Sequence, residues 1–445
     1  MFSVTASNSD QYGQGTFAFQ TTKTTPFSFV VKDEDGFVAG AIIRITESDQ
    51  APGNTHVLAQ LVTDVNGKAQ GTFTTTSALT SVQANINLGS RVLTQPVSLQ
   101  PINGQELLQV SRFFTVTGDF NPQSLITDAD GDKIPDNYDA YPNDATKATK
   151  VCFPISCAAD DLITLAYEDL YPLQGDADLN DYVSWARSEE DLNTAGKIVK
   201  LRVHYQHVGK GTLLGHSFRL RLQVNTGATV VRKITGFTGT VTQTSATYTS
   251  TNLKNGIAVY NGENSTQTIQ ATNNANSITF KAGKKATLEI GFTAPVTRAE
   301  VGDSPYDPYI VLINLAPLNL NFTETETHLP GKNGGLLGIL SNASYPYSLI
   351  VPGIWHWQVE GLDIRNTNTT GYLEYASWMN SGGVSYKNWY TKVTKTASVY
   401  NNLPTTGTLA GFINIIKSKS TLFAALLVLI ISVGIGFTLK QRLAI

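Results

Sequence analysis

Phe218-Arg219-Leu220-Arg221-Leu222-Gln223-Val224 alternates apolar and polar side chains without a break. Successive side chains of a strand point to opposite faces, so this stretch reads as a strand with one dry face and one wet face. The pattern recurs in Leu201-Arg202-Val203-His204-Tyr205 and in Leu288-Glu289-Ile290-Gly291-Phe292. Tyr309-Ile310-Val311-Leu312-Ile313 is apolar throughout, as expected of a strand covered on both faces. Upstream, Phe27-Ser28-Phe29-Val30-Val31 runs into the turn signal Asp33-Glu34-Asp35-Gly36, and Ala41-Ile42-Ile43-Arg44-Ile45 follows. Asn66-Gly67, between Val62 and Gly71-Thr72-Phe73, predicts a tight hairpin. The chain of 445 residues is too long for one ordinary core. These observations predict an all-β protein of tandem β-sandwich domains, one over 21–118 and a larger one over 151–397, with a polar linker at 1–20.

Apolar residues make up 41% and charged residues 15% of the chain, the latter well under the ~25% of an average soluble protein. Thr, Ser, Asn and Gly fill the gap, a composition common in exported proteins. A net charge of -3 gives no reason to expect nucleic acid as a partner. The two cysteines, Cys152 and Cys157, lie in Cys-Phe-Pro-Ile-Ser-Cys. They form either one local disulfide in an oxidising compartment or two reduced thiols; a zinc site needs more ligands than they supply.

The first ten residues, MFSVTASNSD, have neither the basic start nor the apolar core of a secretory signal. Export would then rest on a segment further upstream or on the other end of the chain. There, Thr421 to Leu439 is an uncharged run of 19 residues, with Lys417 and Lys419 before it and Lys440 and Arg442 after it. As a helix it reaches about 28 Å, close to a bilayer core, and predicts a C-terminal transmembrane helix over 421–439. The balanced basic residues leave its orientation open. The stalk at 398–420 contains Leu403-Pro404-Thr405-Thr406-Gly407, which resembles a sortase sorting motif; the alternative reading is a flexible Thr/Gly/Pro segment.

Between the two predicted sandwiches, at 119–150, lies an acidic hinge. Asp128, Asp130, Asp132, Asp136 and Asp139 occupy relative positions 1, 3, 5, 9 and 12. Calcium takes six to eight oxygens, and carboxylates at this spacing can wrap one ion, with the Ile134 carbonyl adding another donor. Gly131 falls one place before the EF-hand glycine, so the loop is not an EF-hand; its spacing is similar to thrombospondin type 3 repeats. Asp144 is a further candidate ligand for a neighbouring ion. Extracellular sites of this kind bind at ~10⁻⁴–10⁻³ M, which suits a compartment outside the cytosol. Ca2+ is therefore the expected cofactor, in a structural role.

A second oxygen-rich cluster follows: Glu168 and Asp169 in Tyr-Glu-Asp-Leu-Tyr-Pro, then Asp176, Asp178, Asn180 and Asp181 in Gly-Asp-Ala-Asp-Leu-Asn-Asp. It reads as a second metal site, or as a turn whose side chains cap backbone amides. These residues resemble the opening signature of the LruC domain, with the carboxylates matched and the aromatics exchanged. Further motifs similar to that family are Glu326-Thr-His328-Leu329-Pro330-Gly331, Pro352-Gly353-Ile-Trp355 with Glu360-Gly361, and Trp378-Met-Asn-Ser381-Gly382-Gly383 with Trp389-Tyr390. The resemblance covers about 120 to 395. It implies a bacterial envelope or surface protein with a jelly-roll-type sandwich and no established biochemical activity. The first sandwich resembles bacterial Ig-like spacer modules. The C-terminal helix departs from the family.

No G-x-S-x-G elbow, phosphate-binding Gly-rich loop or H-E-x-x-H motif is present. Neighbouring His204 and His207 fall on opposite strand faces, and His328 is expected to make a structural hydrogen bond. Trp355, Trp357 and Trp378 read as core packing or as a sugar-stacking platform. The sequence thus predicts a non-enzymatic, membrane-anchored, calcium-binding envelope protein. Its bulk lies outside the cytoplasm, and it has a protein or glycan ligand; the alternatives are a purely structural role and a carbohydrate-active enzyme.

Overall fold

The computed structural model describes residues 21–47, 56–88, 92–100, 109–117, 127–154, 156–171, 175–260, 273–314, 325–330, 332, 339–340, 343–344 and 346–404. The linker 1–20, the membrane segment 421–439 and Thr405, Thr406 and Gly407 of the sorting-type motif lie outside the described residues. Among the described residues, no helix is long and apolar enough to cross a membrane.

Among the described residues, the first sandwich has seven strands: β1 (Thr22–Lys32), β2 (Ile42–Glu47), β3 (Val57–Val62), β4 (Lys68–Thr76), β5 (Ser81–Asn87), β6 (Val92–Ser98) and β7 (Val110–Thr115). One sheet has the order β4-β1-β7 and the other β3-β2-β5-β6. β1 pairs antiparallel with β4 and parallel with β7. The alternation read from Phe27, Phe29 and Val31 puts all three in the core, against Phe73 and Phe114, and the Phe29 and Phe114 rings meet edge-on at 5.3 Å. The predicted Asn66-Gly67 hairpin is corrected by the structure. β3 and β4 belong to different sheets, so this turn crosses between them. Asp64 caps the Asn66 and Lys68 amides, and Gly67 passes so close to β1 that a Cβ would fall 2.4 Å from the Val31 carbonyl. Close approach and a φ of +64° at Gly67 serve the crossing as well as they would serve a hairpin.

The second sandwich begins with β8 (Thr149–Phe153), β9 (Ile163–Tyr167), β10 (Tyr182–Leu192), β11 (Ile198–Gly209), β12 (Gly215–Arg221), β13 (Ala228–Thr235) and β14 (Val241–Tyr248). A short helix α1 (Ser250–Asn255) leads to β15 (Ile257–Tyr260) and β16 (Lys285–Val296). After α2 (Arg298–Val301) come β17 (Asp307–Asn314), β18 (Thr325–Thr327), the small hairpin β19 (Ile339–Leu340) and β20 (Ala343–Ser344), and β21 (Ser348–Pro352). The large sheet has the order β14-β13-β16-β11-β10-β9-β21, with β8 also on β10; the smaller sheet is β15-β12-β17-β18. Phe218, Leu220, Leu201, Val203, Leu288 and Ile290 fill the core between them, the residues singled out by alternation. Tyr309, Ile310, Val311 and Leu312 of β17 are all buried, as their unbroken apolar run requires. The Thr-rich β14 is the opposite case, exposed along nearly its whole length at the sheet edge.

Residues 353–404 form an irregular lobe around α3 (Glu374–Asn380). Trp355, Trp357, Trp378 and Trp389 are all fully buried there. The Trp389 ring lies 5.4 Å from Trp378, 4.9 Å from Tyr375 and 6.0 Å from Trp355. Trp357 stacks on Tyr400 at 5.3 Å and donates its indole N–H to the Asn273 carbonyl at 2.7 Å. Such rings each bury 150–250 Å², roughly, and this side-chain set holds the lobe without regular strands. The sugar-stacking platform is therefore excluded: no face of these three indoles reaches solvent.

The two sandwiches share a polar seam. His56 bonds the Cys152 carbonyl at 2.9 Å, and Gln60 bonds Thr149 at 3.2 Å. Arg298 pairs with Glu190 of the second sandwich and donates to the Thr72 carbonyl of the first at 3.2 Å. Tyr306 donates to the other Glu190 oxygen at 2.6 Å. Glu190 is almost wholly buried, and these two partners hydrogen-bond both of its oxygens. Arg298→Ala is expected to cost about 3–5 kcal/mol by leaving that carboxylate buried beside a lost cation. Arg298→Ala together with Glu190→Gln should recover most of the loss. Denaturant midpoints of the three proteins check this; equal midpoints for the single and double variants would contradict it.

Candidate metal centres

The acidic loop at 127–139 is built by its own aspartates. Asp128 accepts the Gly131 amide at 2.8 Å and the Lys133 amide at 2.9 Å. Asp130 accepts the Asp132 amide at 3.2 Å, and Asp132 accepts the Ile134 amide at 2.7 Å. Asp136 reaches back to the Ala129 amide at 2.9 Å and closes the ring. Gly131 and Lys133 both have φ of 78°, so the chain turns at every second residue and keeps the aspartates on one side. The carboxylates of Asp128, Asp130 and Asp132 each place an oxygen within 4.8 Å of the others. One oxygen each of Asp130, Asp132 and Asp139 is buried with no hydrogen-bond partner. Partial burial, and then the charges of Asp132, Asp130 and Asp128, push Asp139 up to about 6. Ile134 anchors the loop by burying its side chain.

Asp144 is not available to this cluster. Lys147 pairs with its carboxylate at 2.6 Å and Thr146 also donates to it, which holds it down to about 2. The loop is also more than a hinge. The Tyr138 carbonyl accepts Arg44 at 3.3 Å and Gln60 at 3.1 Å from the first sandwich, and the Arg44 guanidinium lies over the Tyr138 ring. On the other side Tyr141 donates to Asp191, and Ala148 donates its amide to the Leu192 carbonyl at 2.7 Å. One loop thus touches both sandwiches.

The second cluster lies where β9 ends and β10 begins. Glu168 and Asp178 are fully buried and Asp176 is exposed; the three place carboxylate oxygens within 4.8 Å of one another. Glu168 accepts the Leu179 amide at 2.5 Å through one oxygen, and the other has no partner. Asp178 accepts Asn180 at 3.2 Å and Gly361 at 2.8 Å. Ala177 and Leu179 take φ of 60° and 57°, the same alternation seen in the first loop, here without any glycine. Asp169 and Asp181 stand one layer aside. Asp181 accepts the Asp169 amide at 3.0 Å, and the Asp169 carboxylate pairs with His216 at 2.9 Å. Burial comes first in raising Glu168, to about 8, and the charge of Asp176 adds to it. Burial and the Glu168 charge raise Asp178 as well.

The spacing of the acids was readable from the chain; two contributors were not. Glu360 stands close enough that its charge raises Asp178, and Gly211 runs beside it. The Glu360-Gly361 pair appeared only within a motif about 180 residues away, with nothing to connect it to the acids. Among the histidines, His204 faces Glu189 at 3.3 Å, while His207 is buried and stacked on Tyr182 at 4.0 Å. His328 sits between Asp307 and Glu326, both at 2.9 Å. The sulfurs of Cys152 and Cys157 are bonded, with Cα atoms 5.3 Å apart.

A raised carboxylate pKa means that the folded chain favours the protonated acid. The unfolded chain releases that proton near its ordinary value of ~4.3. Without a cation, stability from Glu168 is therefore present below that value and is lost as pH rises towards about 8. In chelator the melting temperature is expected to fall by several degrees between those limits, and millimolar calcium should flatten the curve. A chelator profile that is level across the window would contradict this assignment.

No curated protein matches the sequence significantly. Crystal structures that align along most of the chain include two of different kinds. One is of a "Putative lipoprotein" from Bacteroides ovatus, at 11% identity and a TM-score of 0.46, covering 81% of this chain and 99% of the other. The other is of a variant of the shaft pilin SpaA from Lactobacillus rhamnosus GG, at 7% identity and a TM-score of 0.16, covering 75% of this chain and 99% of the other. In sequence, residues 196–337 and 339–390 are similar to DUF4842, a domain of unknown function, and that match lies within the larger sandwich and the aromatic lobe.

Proposed function

We propose that this is a calcium-ordered protein of the bacterial envelope, of LruC type, that binds or presents a ligand outside the cytoplasm. The observation that carries the reading is the convergence of Asp128, Asp130 and Asp132, with partnerless buried oxygens on Asp130, Asp132 and Asp139, in a loop pinned to both sandwiches. Hard oxygen donors in a flexible ring suit Ca2+ better than a smaller or softer ion. The thrombospondin type 3-like spacing agrees with that choice. Filling the ring would fix the seam between the sandwiches, so the ion acts on the whole molecule.

The disulfide and the low-charge composition support an oxidising, external compartment. A C-terminal helix at 421–439 would hold the chain to a membrane. The reading is of a binding or adhesion protein, not of an enzyme, because acids clustered at two-residue spacing read as metal ligands and not as an acid and a base on opposite sides of a sugar. The ligand is a protein or glycan engaged through the loops and exposed edges, since the indoles are inside. The match to DUF4842 is compatible with this reading and does not name an activity.

At calcium about a hundredfold above the dissociation constant, one site adds ~2.7 kcal/mol to stability. Limited proteolysis of the chain is expected to cut between Asp128 and Asp144 in chelator and to spare that segment in saturating calcium. Asp130→Asn with Asp132→Asn should be cut there even with calcium. Equal cleavage of the unmodified chain in both conditions would overturn the proposal.

A further inference from the structure

The second acidic cluster goes beyond the loop that carries the proposed function, and it stands or falls separately. We infer that Glu168, Asp176 and Asp178, with Asn180 and Glu360 at the rim, form a second divalent-cation site that latches the aromatic lobe to the larger sandwich.

The first support is the state of the buried atoms. Glu168 is 0% exposed and one of its carboxylate oxygens has no hydrogen-bond partner; Asn180 is 0% exposed and its side-chain oxygen has none. Buried polar atoms of this kind are rare in folded proteins and call for an occupant. Glu168, Asp176 and Asp178 also crowd carboxylate oxygens within 4.8 Å of one another, and a Glu360 oxygen lies beside the Asn180 side chain. A bound cation is the occupant that answers both the missing hydrogen bonds and the repulsion. All the donors are hard oxygens, and the exposed Asp176 leaves a path for an ion to enter.

The second support is what the cluster is tied to. Asp178 accepts the Gly361 amide at 2.8 Å, Asn180 donates to the Gln358 carbonyl at 3.2 Å, and Ile364 donates to the Ala177 carbonyl at 3.0 Å. Each of these joins the turn at 176–180 to the lobe. A Cβ placed on Gly211 would fall 1.5 Å from the Asn180 side-chain oxygen and 2.7 Å from a Glu360 oxygen. Those two oxygens, one from each side of the seam, therefore lie next to each other, and only glycine at 211 leaves them room. An ion held here clamps residues 358–364 onto the turn at 176–180 that leads into β10, and the tryptophan cluster follows from that clamp.

The test is calcium stoichiometry on the full chain by equilibrium dialysis, with tryptophan emission as a second readout. Four of the five tryptophans lie in the lobe. Glu168→Gln with Asp178→Asn is expected to lose one bound calcium per chain. Its emission should no longer respond to calcium, and its melting temperature in chelator should equal or exceed that of the unmodified chain, because buried like charges have been removed. Glu360→Gln, at the rim, should weaken the same site roughly tenfold and leave melting in chelator unchanged, which keeps the test open if the double variant folds poorly. Asp130→Asn with Asp132→Asn should retain this site and its emission response. Loss of calcium in that loop variant alone, with full binding in both Glu168→Gln/Asp178→Asn and Glu360→Gln, would overturn the latch. The opposite result would overturn the loop reading and leave the latch standing.

Discussion

Carboxylates brought together in a dry place repel, and the most consequential contacts of this chain are arranged around that fact. Glu168 and Asp178 place oxygens within 4.8 Å of each other while almost wholly buried. At an effective dielectric of ~20, two full charges that close oppose one another by roughly 3 kcal/mol, a large share of the stability of an ordinary domain. The fold lowers this by raising the carboxyl pKa values and by directing backbone amides at the oxygens. It does not cancel it, since one Glu168 oxygen is left without a hydrogen-bond partner. The turn that carries these acids is bonded to the aromatic lobe through Gly361, Gln358 and Ile364.

The two acidic turns solve one geometric problem in one way. In Asp130-Gly131-Asp132-Lys133 and in Asp176-Ala177-Asp178-Leu179, the residue after each aspartate has positive φ. A left-handed conformation costs a non-glycine residue about 1–2 kcal/mol, and Lys133, Ala177 and Leu179 all accept it. The gain is that every second side chain faces the same centre. The period-two spacing of the aspartates made both turns visible in the chain. The strands were visible for a related reason: Phe27, Phe29, Phe218 and Leu220 alternate with polar neighbours and enter the cores.

Other features had no local signature. Asn66-Gly67 carries the composition of a hairpin yet crosses between sheets, because pairing partners are chosen by the whole sandwich and not by the turn. Glu360 reaches the cluster through tertiary folding alone. Asp144, a candidate for a neighbouring ion by its nearness in sequence, is paired with Lys147, a competing charge that nearness alone does not weigh. The tryptophans of the lobe read as core packing or as a surface platform, and their mutual packing around Trp389 decides for the core. The seam is likewise made of scattered polar groups, His56, Gln60, Arg44 and Arg298, none of which announces a partner in sequence.

The parallel pairing of β1 with β7 has a mechanical consequence. These are the first and last strands of the leading sandwich, bonded side by side from Phe27 to Lys32. A pull on the two ends of that module draws the strands lengthwise past each other, so the slanted, evenly spaced bonds of a parallel ladder share the load at once. A hairpin drawn at its open end would instead unzip, its bonds breaking in succession. The leading sandwich is thus wired to resist tension along the chain.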